Sequence, residues 1–438
     1  MLASGRYRLA HERSSPADPV WSRRSKLRQG VSREKHTILD SAALGTGLAE
    51  LIRPCDSPLR PADPGRVAGG PTFALTFSGG GFRATLAALG VVRYLADIGR
   101  LGHVRFVSSV SGGSIANGML ATQWATLREK SFTTAALDEH VIDPVVDSIS
   151  GSSLKLELIR NGWRALGPQN RTHVLARAMD RRFFHGRTLA SLDPECRFVI
   201  NAANIVTGVR FAFERDVIGD YVTGLAPPGD RMPVGFAAAA SAAVPGAFAP
   251  LPVPDVAFPC PQSGTPLLLD GGTYDNTGLE AFDSDRYASL FLIAMNAGGM
   301  FRTGRWGGLP FIRNLTRSNS LLYRQSTGLR TRWMVDRFKA SEQAARAKLP
   351  APSWGRQGVL MTLASQVNGS AAAQWRATFP EERTWQKKDL AFVPTVFDRL
   401  DRELCRLLVY RGWWLTGATI ATYHPGLAPP PNSAPPLG

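Results

Sequence analysis

Two short stretches of the chain hold residues whose types and spacing suit covalent chemistry. One is Ser108-Ser109-Val110-Ser111-Gly112-Gly113-Ser114; the other, some thirty residues upstream, is Ser78-Gly79-Gly80-Gly81-Phe82-Arg83. Ser111 falls where an apolar run, Val104 to Val110, turns into a helix beginning at Gly112. A serine on such a strand-to-helix turn is held out of the sheet, its neighbouring amides aimed at a bound carbonyl. Small residues flank the turn, as its sharpness requires: Ser109 two before and Gly113 two after. The usual elbow has glycine at the first of these positions, and Ser109 departs from that. The competing reading is a helix N-cap serine without chemistry, the commoner fate of Ser-Gly-Gly.

The glycine stretch also has two readings. Gly79-x-Gly81-x-x-Ala84 after a strand and before a helix satisfies the dinucleotide-binding fingerprint. That reading needs a carboxylate at the end of the second strand to hold the ribose hydroxyls. The second strand ends instead in Ser108-Ser109-Val110-Ser111, which removes most of its weight. The same glycines suit an oxyanion formed when a nucleophile attacks an ester, because helix-start amides favour negative charge and glycine lets substrate approach. Arg83 ties the loop down or helps with that charge, with a surface salt bridge as an equal alternative.

A serine hydroxyl is a poor nucleophile until a base takes its proton. None of the seven histidines (His11, His36, His103, His140, His173, His185, His424) lies in a strand-end or glycine-turn setting, and His103 precedes its strand. A carboxylate is the remaining kind of base. Asp270 follows the short apolar run Leu267-Leu268-Leu269 and precedes Gly271-Gly272, which allows close backbone approach. Asp275, within Tyr274-Asp275-Asn276, is the second choice and reads more as an Asx turn.

The elements that must position these groups follow from hydrophobic periodicity. Thr72–Phe77 reads as a buried strand stopped by glycines, and Ala84, Leu86, Leu89, Val92 and Leu95 recur at helical spacing. Val104–Val110 is a second strand leading to Ser111. The order strand, helix, strand, helix predicts an α/β fold with a mostly parallel sheet and helices on both faces. In such a sheet the strand C-terminal ends share one edge, where Gly79, Ser111 and Asp270 would converge. Residues 121–190 read as mainly helical, Arg197–Asn204 and Val209–Phe213 as a hairpin, and Leu290–Met295 as a later core strand. Thr37–Leu51 is a helical candidate, and Asp398–Thr422 a closing helix. Phe311, Leu315, Leu322, Leu329 and Trp333 fall on one helical face, read as a helical cover over the core, with a membrane-facing surface as the alternative.

Composition narrows the class further. With 438 residues, 44% hydrophobic and 20% charged, the chain can bury a sizeable core, which excludes wholesale disorder. Residues 1–36 carry nine Lys/Arg against three acids and residues 302–339 nine against one, so nearly all of the +16 net charge sits there. Such segments are either solvated faces or attractors of a polyanion, an anionic lipid surface or nucleic acid. Cys55, Cys196, Cys260 and Cys405 are far apart, without paired or metal-type spacing, and are expected to be free thiols in a reducing compartment. Met1–Arg8 lacks the apolar core of a secretory signal. The expectation is a cytoplasmic protein, peripheral at a membrane if the charge serves one.

The three strand-end motifs, in this order, resemble those of the patatin-like phospholipases across roughly residues 72–300. Ser78-Gly79-Gly80-Gly81-Phe82-Arg83 looks like that family's oxyanion-hole loop, Ser109-Val110-Ser111-Gly112-Gly113 like its nucleophile elbow and Asp270-Gly271-Gly272 like its base motif. Ala240-Ser241-Ala242-Ala243-Val244-Pro245-Gly246-Ala247-Phe248-Ala249-Pro250 is similar to its small-residue block. The resemblance implies a three-layer patatin-like fold and a lipid acyl hydrolase of phospholipase A type. Catalysis would use a Ser111/Asp270 dyad without calcium, metal or other cofactor, and Gly79, Gly80, Gly81, Arg83 and Gly112 would form the oxyanion hole. It divides the chain into a basic arm and linker (1–70), a catalytic domain with a C-terminal helical cover (71–424) and a Pro-rich tail (425–438). The partner expected is an anionic phospholipid membrane, and the family leaves room for a small-molecule activator. Two other classes stay open: a catalytically idle lipid-binding or scaffold protein, and a nucleic-acid-binding protein. For the last, the chain shows no recognised motif.

Overall fold

The apolar runs of the sequence lie side by side as strands of one sheet. The computed structural model describes residues 54–161, 170–260, 264–299, 310–381, 384–385 and 388–427, all within a unit that starts at Pro54. Its strands are β1 (Phe73–Phe77), β2 (Val104–Val110), β3 (Arg197–Asn204), β4 (Val209–Phe213), β5 (Ile218–Asp220), β6 (Gly224–Ala226), β7 (Leu251–Pro252), β8 (Leu267–Asp270), β9 (Phe291–Asn296) and β10 (Gln357–Thr362). The order across the sheet is β10-β9-β1-β2-β3-β4-β5-β6, with β7 and β8 joined to β3 off this path. From β10 to β3 all pairings are parallel. From β3 to β6 they are antiparallel, as short turns between strands require.

Helices cover both faces. Alternate residues along the central strands enter two different cores, because successive side chains point to opposite sides of a sheet. Phe73, Leu75 and Phe77 of β1, with Ile293 and Met295 of β9, join the larger core. That core also takes in α1 (Gly81–Asp97), α2 (Gly112–Glu129), α3 (Val234–Ser241) and most of the C-terminal helix. Ala74, Leu292 and Ala294 face the other way, into a smaller core with Leu279, Phe282 and Tyr287. This second layer includes Met334 of the long helix α4 (Pro310–Arg346). The protein is thus an α/β three-layer structure. Strands buried on both sides explain why the sequence shows continuous apolar runs here rather than alternation.

The expected closing helix is α5 (Arg402–Tyr423), which packs on α1 at very short range. A side chain on Gly90 would stand 2.1 Å from Val409 O, and one on Gly412 2.1 Å from Ala87 O. Only residues without a Cβ let the two backbones meet.

Three expectations are corrected. First, β8 is antiparallel to β3, so Asp270 does not reach the site as the end of a parallel strand. Second, Cys55 and Cys260 form a disulfide across 205 residues, while Cys196 and Cys405 are the buried free thiols. Sequence separation hid the pair, because Cys55 and Cys260 are bound on either side of one turn through Tyr221 O and Thr223 O. The free-thiol argument for a reducing compartment therefore fails for half of the cysteines. Third, the apolar stripe on α4 does not face the core: Leu322, Leu329 and Trp333 are exposed, whereas Met334 is buried. Phe311 and Leu315 side chains, the Thr37–Leu51 helix, the 1–36 arm and residues 428–438 lie outside the described residues. Among the described residues no helix is long and apolar enough to cross a membrane.

Candidate active site

Ser111 stands at the tip of β2 with φ 51° and ψ −120°, a conformation that L-residues with side chains rarely adopt. Gly112 starts α2 immediately afterwards, so the chain reverses within one residue and the hydroxyl is left off the sheet. The strain is held by buried polar contacts. The Ser111 amide donates to Ser241 Oγ at 2.8 Å, and Ser241 Oγ in turn donates to Asn201 O at 2.6 Å. Ser109 is fully enclosed: Asn117 Nδ2 donates to its hydroxyl at 2.8 Å, and the Ser114 hydroxyl lies 3.1 Å away. Serine in place of the usual glycine thus leaves the turn sharp and links it to α2.

Register explains how Asp270 meets Ser111. β3 pairs with β4 along one edge, so β2 and β8 share the other edge. β2 runs up that edge and ends with Val110 opposite Asn201, while β8 runs down it and ends with Asp270 opposite Ala202. The two strands meet tip to tip. Ser111 and Asp270 are hydrogen-bonding neighbours in the gap, and both are buried, at 5% and 2% exposure. Burial pushes the Asp270 carboxyl up to about 7, against the pull of the Gly272 amide (2.7 Å to Oδ1) and of the Ser111 hydroxyl. A carboxyl at this value is a far better proton acceptor than an ordinary one.

The glycine loop lies against the same turn. A side chain on Gly79 would stand 3.2 Å from Ser111 Cβ and 2.2 Å from Asn276 Oδ1, so glycine is required for the close approach. Gly80 and Gly81 have φ of 150° and 60°, which glycine alone adopts freely. Among the described residues the amides of Gly80, Gly81 and Gly112 have no acceptor, as the first positions of α1 and α2 dictate. The Gly79 amide is different: it donates to Asn276 O at 2.9 Å and has no hydrogen left for an oxyanion. Arg83 also differs from the expected donor. Its guanidinium bonds Ala297 O, Val393 O and Thr395 Oγ1, tying the glycine loop to the end of β9 and to a C-terminal loop. That loop reaches Phe82, whose amide donates to Val396 O at 3.2 Å.

Asp275 is not a competing base. It accepts from the Thr277 amide at 2.8 Å and the Glu280 amide at 2.9 Å, capping the turn after it. Sequence reasoning missed the buttress made by Ser241 and Asn201, the Asn276 carboxamide beside Gly79, and the Val393–Val396 loop. Ser241 alone had a signal, as the serine in a run of alanines. Among the described residues no group of three or more His, Cys, Asp or Glu is placed to hold a metal ion.

The structure is thus a three-layer α/β fold with a strained serine at the strand-to-helix turn before α2. Residues 75–283 match the family model of the patatin-like phospholipases. No curated protein sequence matches the chain. Among solved structures, human GIVD cytosolic phospholipase A2 aligns with a TM-score of 0.49 and 12% identity, over 86% of this chain and 62% of that one. The chain thus spans less than two thirds of that protein. Its complex with methyl gamma-linolenyl fluorophosphonate gives 0.45 and 15%, over 88% and 62%. VipD from Legionella pneumophila gives 0.30 and 12%, over 83% and 72%. No residue of this chain takes a role from these likenesses.

Proposed function

We propose that the protein is a lipid acyl hydrolase that cleaves fatty-acyl esters of membrane phospholipids through Ser111 and Asp270. The observation that carries this reading is the tip-to-tip meeting of a strained, buried serine with a carboxyl held at about 7. Asp270 accepts the Ser111 proton as the serine oxygen attacks the ester carbonyl. The amides of Gly80, Gly81 and Gly112 take the oxyanion, each such donor lowering the barrier by about 3 kcal/mol. The proton passes from Asp270 to the departing alcohol, a lysophospholipid, leaving the acyl group on Ser111. Water then attacks the acyl-enzyme with Asp270 again accepting the proton, which it returns to the Ser111 oxygen as the acyl–oxygen bond breaks and the fatty acid leaves.

The partner is an anionic phospholipid surface. Leu321, Leu322, Leu329 and Trp333 are exposed along α4, with the exposed Arg332 among them, and the segment carries a large basic excess. Apolar side chains between arginines suit the boundary of an anionic bilayer.

The test is hydrolysis of phospholipid vesicles by wild type, Ser111→Ala and Asp270→Asn. Each variant is expected to lose at least about a thousandfold in kcat/KM. Only the wild type and Asp270→Asn can form a fluorophosphonate adduct, the latter slowly. Full turnover in either variant overturns the dyad, and vesicle binding indifferent to salt and anionic lipid overturns the membrane assignment.

A further inference from the structure

The long helix α4 lies outside the residues matched to the family, yet one of its side chains, Tyr323, stands beside Gly272, two residues after Asp270. A side chain grown on Gly272 would stand 2.4 Å from Cε1 of Tyr323 and 2.9 Å from Oδ1 of Asp270. The ring edge and the carboxylate therefore border the same small space, which stays open only because residue 272 is glycine. The Tyr323 hydroxyl is itself buried, on the side of Thr273. Burial and then the nearby Asp270 charge push this phenol well above its ordinary range.

We propose that Tyr323 is a positioning residue: its ring roofs Asp270 and keeps bulk water from the carboxylate that faces Ser111. This rests on the Ser111/Asp270 reading above. The surrounding elements leave water exclusion as the dominant control, because their charges are engaged elsewhere. Arg330 of α4 pairs with Glu280 at 2.7 Å and Asp283 at 3.1 Å, and lies 3.8 Å from Asp275. Arg210 of β4 donates to Asn201 Oδ1 at 2.7 Å and lies 3.6 Å from Glu280. Tyr274, on the turn Gly272–Asp275, lies under the Arg330 guanidinium, and Arg83 of α1 is bonded to Ala297, Val393 and Thr395. The end of β2, the first turn of α2 and all of α3 carry no acidic or basic side chain. What raises the carboxyl is burial, and Tyr323 supplies one wall of it. A hydrated Asp270 would ionise at lower pH and be a weaker base.

The experiment compares pH–rate profiles of wild type, Tyr323→Phe and Tyr323→Ala on a dispersed short-chain ester, so that membrane docking by α4 plays no part. Tyr323→Phe keeps the ring and is expected to keep the acid limb. Tyr323→Ala is expected to move that limb down by about one pH unit or more and to lower plateau kcat/KM about tenfold. Should the alanine variant fail to fold, Tyr323→Leu carries the same comparison. Activity lost with an unmoved limb would make Tyr323 a packing residue only and overturn the proposal. A limb that moves as far in Tyr323→Phe would assign the effect to the hydroxyl and overturn it equally. Failure of the dyad itself looks different: turnover would survive in Ser111→Ala or Asp270→Asn.

Discussion

Asp270 pays for its chemistry in stability. Its folded-state value of about 7 lies above the ordinary carboxyl value of 3.8, so the folded chain binds this proton more tightly than the unfolded chain does. The stability this group contributes is therefore fully present below about pH 4, falls as pH rises to about 7, and is level beyond. Asp270→Asn removes the buried charge while keeping the shape. It is expected to resist denaturant more than wild type at about pH 8, by on the order of a few kcal/mol, and to converge with it near about pH 4. Equal midpoints at both pH values would mean that the carboxyl is solvated in the folded protein. Activity runs the opposite way. The wild-type kcat/KM should rise through an acid limb near 7, because only the ionised carboxylate accepts the serine proton.

At the scale of elements, the site depends on two contacts whose strength comes from missing side chains. α1 begins with the glycine loop and is clamped to α5 through Gly90 and Gly412. Gly412→Ala places a methyl 2.1 Å from a backbone oxygen, so the helices must separate. The expected cost is about 1–3 kcal/mol in a denaturant titration, with a parallel loss of activity as Gly80 and Gly81 shift. A variant with the wild-type midpoint would show that the helices part freely. Much of this level was legible beforehand. Val104–Val110, Arg197–Asn204 and Val209–Phe213 match their strands, since apolar period and turn residues act locally. The outward stripe of α4 was misread because periodicity finds a helix's apolar face without saying what lies against it.

At the scale of the whole molecule, the Cys55–Cys260 bridge links positions 205 residues apart and holds the entry segment against the β5/β6 turn. Reduction, or Cys55→Ser, is expected to lower unfolding free energy by about 2–5 kcal/mol. Alkylation of denatured, unreduced protein followed by mass spectrometry should label Cys196 and Cys405 alone. Labelling of all four would remove the bridge. Its presence favours an oxidising environment over the cytoplasm expected from cysteine spacing.

The sequence by itself determined what short-range physics controls: strands, the glycine loop, the serine at a strand-to-helix turn, and Asp270 before two glycines. These follow from neighbours within a few residues, where sterics and hydrogen bonding act along the chain. Tertiary structure alone decided the rest. It turned β8 antiparallel so that Asp270 meets Ser111 head on, and bound the Arg83 guanidinium to Ala297 O and Thr395 Oγ1. It also joined Cys55 to Cys260 and brought Tyr323 of α4 beside Gly272. These partners are separated by tens to hundreds of residues, and only the packing of the sheet and its two helical layers brings them within van der Waals reach.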